Sequence, residues 1–357
     1  MRHSSYIVLP TVLFFLFAAA WSVGWLYIAS NAEQALDRIL AQQAAAGRTL
    51  VCQNRSRSGF PFRLQFTCTA PRLTIAQGQA RLAMTARQLL GMSAAFNSDQ
   101  FIFELEGPIE VERTEQGRVT EQISITTKTA RASLSLQNRR GARDRRVART
   151  SLVATDISAS IIQTREMQQT QASASRFAAH YRSGEDGAAD IAVQLADFAA
   201  AGAMLLSLGL GEPLAPSQAE LLARFTKAGD LAGALMQEAP LLPQVKAWRD
   251  RGGQVALQRL SVNAPGLQAA LRGNAGLTST GLLTGAFDAT FTDPNAVFDL
   301  LVARGVLTRN QLQLAAAAVG LLAKPGPNGQ GVVLPVRIVD GAVYLGPVKV
   351  ARIPAVE

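Results

Sequence analysis

The sequence has 357 residues, enough to bury a sizeable core as one large or two medium domains, and it is apolar and lightly charged, with 48% hydrophobic and 17% charged residues. The net charge is +9, and Arg supplies 30 of the 35 basic residues. That balance suits bidentate contact with phosphates, and it is equally what an Arg-rich and Ala-rich composition gives by itself. Two cysteines and two histidines leave little for thiolate or metal chemistry, and no interleaving of basic and aromatic residues points to nucleic acid.

In chain order, residues 1–30 come first. No charge occurs between His3 and Glu33, and the run from Ile7 to Ala29 is long enough to span a bilayer. Tyr6 at one end and Trp25 and Tyr27 at the other fit two interfacial aromatic belts. A cleavable signal peptide is the competing reading, with small residues at Ala18-Ala19-Ala20 and Ser30-Asn31-Ala32, but the run is longer than a typical apolar signal core. The expectation is a retained anchor. Arg2 precedes the span, and Glu33 with Asp37 outweighs Arg38 after it, so the positive-inside rule puts the bulk of the chain outside the cytoplasm. Residues 31–47 read as a helical stalk, capped by Ser30 or Asn31 and stopped by Gly47.

Cys52 and Cys68 flank Ser58-Gly59-Phe60-Pro61-Phe62, so a hairpin centred near residue 60 sets them opposite each other as a disulfide, in keeping with an oxidising compartment. Phe60, Phe62, Leu64 and Phe66 share their parity and form a candidate apolar lining, or simply core. Arg55, Arg57, Arg63, Gln65 and Thr67 then point the other way. Closing a loop of about fifteen residues contributes on the order of 3 kcal/mol, and a redox role would want a CxxC, so the bridge is assigned to stability.

Residues 48–198 form a first β-rich lobe by their period of two. Phe101, Phe103 and Leu105 oppose Glu104 and Glu106, Ile123 and Ile125 alternate with Ser124 and Thr126, and Val153 to Ile161 keep one parity. Between two such stretches lie Arg139, Arg140, Arg143, Arg145, Arg146 and Arg149, read as a hairpin loop that is either solvated or a candidate anion contact. Residues 199–216, rich in Ala, Gly, Leu and Pro, read as a junction. Residues 217–357 form a second α+β lobe, with a helix over 240–251, strands near 254–263, 266–275 and 280–291, and a helix opened by Asp293-Pro294 and closed by Gly305. A further helix starts at the Thr308-Arg309-Asn310-Gln311 capping box, and a strand follows over Val332 to Ile338. The fold class is α+β: a large, mostly antiparallel curved sheet with a few covering helices, preceded by one transmembrane helix.

Chemistry is hard to place on this frame. His180 has no serine elbow or HExxH motif to serve, and the disulfide consumes both cysteines. The carboxylates fall in groups, Glu104 and Glu106, then Glu110, Glu112 and Glu115, then Glu185, Asp186 and Asp190, on wet strand positions or in a turn. A hydrolase built from Glu104, Glu185 or Asp190 is the weakest reading. No catalytic residue, cofactor or metal is expected.

Several passages together resemble one family: Cys52 with Gly59-Phe60-Pro61-Phe62-Arg63 and Cys68, Trp248 before Gly252-Gly253, and Leu334-Pro335, Asp340-Gly341, Tyr344-Leu345-Gly346-Pro347 and Ile353-Pro354. The set resembles an uncharacterised family of membrane-anchored bacterial proteins, domain of unknown function 2125, distantly similar to AsmA-like envelope proteins whose long sheets are implicated in lipid transfer. The resemblance implies no catalytic residues. The expectation is a non-enzymatic, membrane-anchored periplasmic protein that binds or passes lipid or another apolar envelope component, with phospholipid, lipopolysaccharide or another envelope protein as partner. The alternative is an interaction scaffold with a self-filled core.

Overall fold

The computed structural model describes residues 5–95, 97–138, 145–164, 168–184, 187–202, 214–229, 241–303, 308–326, 331–346 and 348–355. The chain divides into two compact units, Met1–Ile125 with Gln163–Arg165, and Thr126–Ile162 with Glu166–Glu357.

The first unit begins with helix α1 (Ser5–Ala45), a single helix of 41 residues and therefore about 60 Å long. The expected separation into span and stalk at residues 30–31 is absent. Ala29-Ser30-Asn31-Ala32-Glu33 contains neither Gly nor Pro, so helix propagation overrides the capping preference of Ser30 and Asn31. Gly47, at φ +82°, ends the helix where the sequence suggests, its N–H donating to the Ala44 carbonyl at 3.0 Å.

Nine strands follow: β1 (Arg48–Val51), β2 (Asn54–Ser58), β3 (Arg63–Thr69), β4 (Arg72–Gln77), β5 (Ala80–Thr85), β6 (Gln88–Ala94), β7 (Asn97–Glu106), β8 (Ile109–Glu115) and β9 (Arg118–Thr126). They pair as four long interrupted strands. β1 and β2 run against β4 and β3, those against β5 and β6, and those in turn against β8 and β7, with β9 beside β8. The interruptions line up into a crease bridged by Gln53 N–H to Thr69 O, Ala70 N–H to Arg87 O and Ala86 N–H to Pro71 O, at 2.9, 2.8 and 3.2 Å. Sequence places it: Pro71 and Pro108 have no N–H for a ladder, and Ala70 sits in the left-handed region at φ +46°. Apolar parity switches there, from Leu64, Phe66 and Cys68 to Leu73 and Ile75.

The second unit opens with β10 (Thr129–Asn138) against β11 (Arg145–Gln163). A meander follows, of β12 (Gln168–Ser183), β13 (Ala189–Gly202), β14 (Leu214–Phe225), β15 (Gln254–Ala264), β16 (Leu267–Leu277) and β17 (Leu283–Phe291), each antiparallel to the next. β19 (Val332–Val339) pairs with β17 and with the two-residue β18 (Lys324–Pro325), then with β20 (Ala342–Leu345) and through it β21 (Val348–Arg352). The stretch 199–216 joins strands that are direct neighbours, since Ala189–Ala200 of β13 lies against Leu214–Phe225 of β14. Residues 203–213 of that stretch lie outside the described residues, and the division between compact units falls after Ile125.

Among the described residues three helices accompany this sheet: α2 (Leu241–Asp250), α3 (Pro294–Ala303) and α4 (Arg309–Leu322). The Asp293 carboxylate accepts from the Asn295 N–H at 2.9 Å near the start of α3, and Thr308 with Gln311 forms the anticipated capping box on α4. Gly305 lies outside the described residues. Gly253 has a packing reason: a Cβ there would lie 2.2 Å from the indole nitrogen of Trp248, which donates to the Thr226 carbonyl. Phe298, Leu345 and Val350 form the buried core under α3 and α4, flanked by Val302, Leu312, Val319, Leu322 and Val336.

Candidate functional site

The first hairpin meets α1 in a junction built from both. Its turn is Gly59-Phe60-Pro61-Phe62, closed by the Arg63 N–H donating to the Gly59 carbonyl at 2.8 Å. Gly59 is required, because φ is +102° and a Cβ would lie 2.7 Å from the Arg63 carbonyl oxygen. Ser58 therefore opposes Gln65, and the register runs Arg57 to Phe66 and Arg55 to Cys68. The anticipated parity is corrected accordingly. Arg55 and Arg57 share the face of Phe66 and Cys68, because a register displaced by an odd number of residues exchanges faces. Cys52 falls in the crease rather than directly across from Cys68, and the disulfide still forms, with Cα atoms 5.3 Å apart.

The four candidate lining residues divide. Leu64 is buried with Trp25, Ala29 and Ala95, and Phe66 is half-buried. Phe60 and Phe62 belong to the turn, where strand alternation has stopped, and are 54% and 66% exposed. Each rests edge-on against an indole of α1, Phe60 on Trp25 at 5.5 Å and Phe62 on Trp21 at 5.9 Å between ring centroids. The indole N–H of Trp21 donates to the Pro61 carbonyl at 3.3 Å and that of Trp25 to the Arg63 carbonyl at 3.0 Å. Further along α1, Arg55 pairs with Asp37 at 2.6 Å and with Glu33, and Arg57 pairs with Glu33 at 3.1 Å. The hydrogen bond that Arg55 donates to the Asp37 carboxylate holds its guanidinium above its ordinary pKa.

Beyond this junction the first unit carries a row of aliphatic side chains, one per strand in direct register: Leu50, Leu73, Met84, Val111 and Ile123. All five are half-buried, and neighbouring Leu82 is 38% exposed. The opposite face holds Thr74, Thr85, Glu110, Glu112 and Ser124, so this half of the sheet has one apolar and one wet side.

The second unit has a polar groove of about 520 Å³ whose lining includes Arg149, His180, Arg182, Asp190 and Arg224. Asp190 accepts from Arg182 at 2.8 Å and lies 3.9 Å from Arg224. Of the arginine run, Arg139, Arg140 and Arg143 lie outside the described residues. Arg145, Arg146 and Arg149 are not in a loop but in β11, opposite Asn138, Gln137 and Ser135, because Val147 is 5% exposed and holds that segment to strand alternation. Glu104 belongs to the first unit and Asp190 to the second, while Glu185 lies outside the described residues. Among the described residues no three His, Cys, Asp or Glu side chains gather as a metal-holding group.

Sequence reasoning missed the roles of Trp21, Glu33 and Asp37 at the junction, and it missed the aliphatic row. Each strand's alternation was visible, but the row exists only once five registers are known.

The class is thus an antiparallel β-sheet protein carrying one helix long and apolar enough to cross a membrane, with a disulfide-bonded hairpin fastened to that helix. The chain belongs to the bacterial family described as "Uncharacterized protein conserved in bacteria (DUF2125)", which matches residues 25–354. No curated protein matches the chain, and no solved structure matches it.

Proposed function

We propose that this is a non-enzymatic, single-pass inner-membrane protein whose bulk lies in the periplasm and whose sheet binds or passes lipid or another apolar envelope component. The observation that carries this reading is the aliphatic row Leu50–Leu73–Met84–Val111–Ile123, partly solvent-accessible along its whole length and aromatic-free, as a lining for acyl chains would be. Phospholipid and lipopolysaccharide both supply such chains, and the proposed likeness to AsmA-like envelope proteins agrees with that role. A second reading, an envelope scaffold with a self-filled core, draws on the second unit, where Phe298 of α3 packs with Leu345 and Val350 of the sheet.

Placing the photo-crosslinking residue p-benzoylphenylalanine at Met84 in the full-length chain and irradiating intact cells separates the two. The expected result is an adduct whose mass shift is that of a lipid. Adducts to protein alone would favour the scaffold, and adducts only within the chain itself would mean that the face is self-filled.

A further inference from the structure

The hairpin turn has features that its place on a soluble sheet does not explain. Between Arg57 and Arg63 the chain reads Ser58-Gly59-Phe60-Pro61-Phe62, with no charge and with two phenylalanines more than half exposed. Several of its carbonyls are hydrogen-bonded. Those of Gly59, Pro61, Phe62 and neighbouring Arg63 accept from Arg63 N–H, the Trp21 indole, Ala95 N–H and the Trp25 indole, and Pro61 has no N–H to satisfy. Each such pairing lowers the cost of placing the turn in hydrocarbon, where an unpaired carbonyl costs several kcal/mol.

The level of the turn along α1 agrees. Trp21 precedes Ala29, the end of the apolar run, by eight residues, which at helical rise is about 12 Å. Away from these contacts the apolar run of α1 is uncharged and exposed, with Phe17 64%, Val23 67% and Phe14 65% exposed. Charge begins again one turn beyond Ala29, at Glu33, and there the hairpin supplies its own charges, Arg57 and Arg55, as partners.

We infer that the Phe60-Pro61-Phe62 tip enters the outer leaflet of the bilayer beside α1, its rings among the acyl chains and the exposed Arg63 reaching the lipid phosphates. The occupant is lipid rather than a partner protein, because the turn continues the same apolar surface of α1 and shares its depth. This inference rests on the reading of α1 as a membrane span. The hairpin then acts as a second contact with the membrane, fixing the direction in which the sheet leaves it. Arg63, whose carbonyl is held at the level of Trp25, extends its guanidinium toward the headgroups along an aliphatic stem.

The test places p-benzoylphenylalanine singly at Phe14, Phe60, Phe62 and Gln122 of the full-length protein in vesicles of phosphatidylethanolamine and phosphatidylglycerol. Phe14 reports the span, and Gln122, exposed on the wet face, reports background. The expected lipid adduct at Phe60 and Phe62 matches that at Phe14 and exceeds that at Gln122 by on the order of tenfold. Lipid adducts at Phe14 with only background at both turn positions overturn the inference and leave the span intact. Background at Phe14 as well removes the span itself and the inference with it. Adducts to a second copy of the chain at Phe62 in place of lipid also overturn it.

Discussion

The apolar faces of the two units carry the same strand alternation and end in different states. In the second unit the row Val193–Leu221–Leu260–Leu271–Ala289–Leu334 runs from Leu260, 40% exposed, to Ala289 and Leu334, 3% and 2% exposed, toward the strands β19 and β21 on which α4 packs. The row of the first unit stays partly exposed throughout, and the aromatic and aliphatic cluster of that unit, Trp25, Ala29, Leu64 and Ala95, sits at the junction with α1. Burial is therefore decided by whether the chain supplies a cover, and strand patterning alone does not reveal it. A face that the chain leaves uncovered is where an outside apolar molecule fits.

The largest expected effect tests this contrast directly. Phe298→Ala removes a ring that is 3% exposed from beneath α3 and should cost about 3–5 kcal/mol. Leu73→Ala on the partly exposed row should cost less, roughly 1–2 kcal/mol, because its side chain already meets solvent in part. Thermal melts of the detergent-solubilised full chain, followed by hydrogen exchange to assign each loss to its unit, provide the measurement. Equal losses at the two positions would break the comparison, since they would mean that the first unit's row is covered after all.

The next effect concerns what the first unit uses in place of a lid. The bridge between Cys52 and Cys68, 16 residues apart, ties the crease to the hairpin that docks on α1. Replacing both cysteines by Ala should cost about 3 kcal/mol by the chain-entropy estimate. Hydrogen exchange should quicken in β1 to β6 and stay unchanged around Phe298. Faster exchange around Phe298 would show that the two units do not unfold separately.

What the sequence made legible follows the range of the interactions. The Thr308 and Gln311 capping box and the Gly47 stop each depend on neighbours a few residues away, and both were readable. The disulfide was readable because two cysteines offer one pairing. The register that pairs Ser58 with Gln65 was not, because a four-residue turn and a symmetric one differ by a shift that composition does not mark. Trp25 reaching the Arg63 carbonyl spans 38 residues and has no local signature. Arg145 to Arg149 looked like a loop because charge density masks the buried Val147 within it. The candidate anion contacts were thus legible as residues and not as a site.

The smallest effect probes the cover itself without touching a buried side chain. Thr308 is exposed; its hydroxyl accepts from the Gln311 N–H at 3.3 Å, while the Gln311 side chain accepts from the Thr308 N–H at 2.8 Å. Thr308→Ala removes half of that reciprocal cap and should cost about 1 kcal/mol, spent in the first turn of α4. Leu312 sits in that turn and packs on the core of Phe298 and Leu345, so hydrogen exchange should rise at residues 309–312 and more weakly at β20 and β21. The first unit, which has no share in this core, should exchange as before. If β20 and β21 stay fully protected while α4 frays, the sheet end is buried without its helix, and the contrast between the covered and uncovered faces has to be sought in the strands themselves.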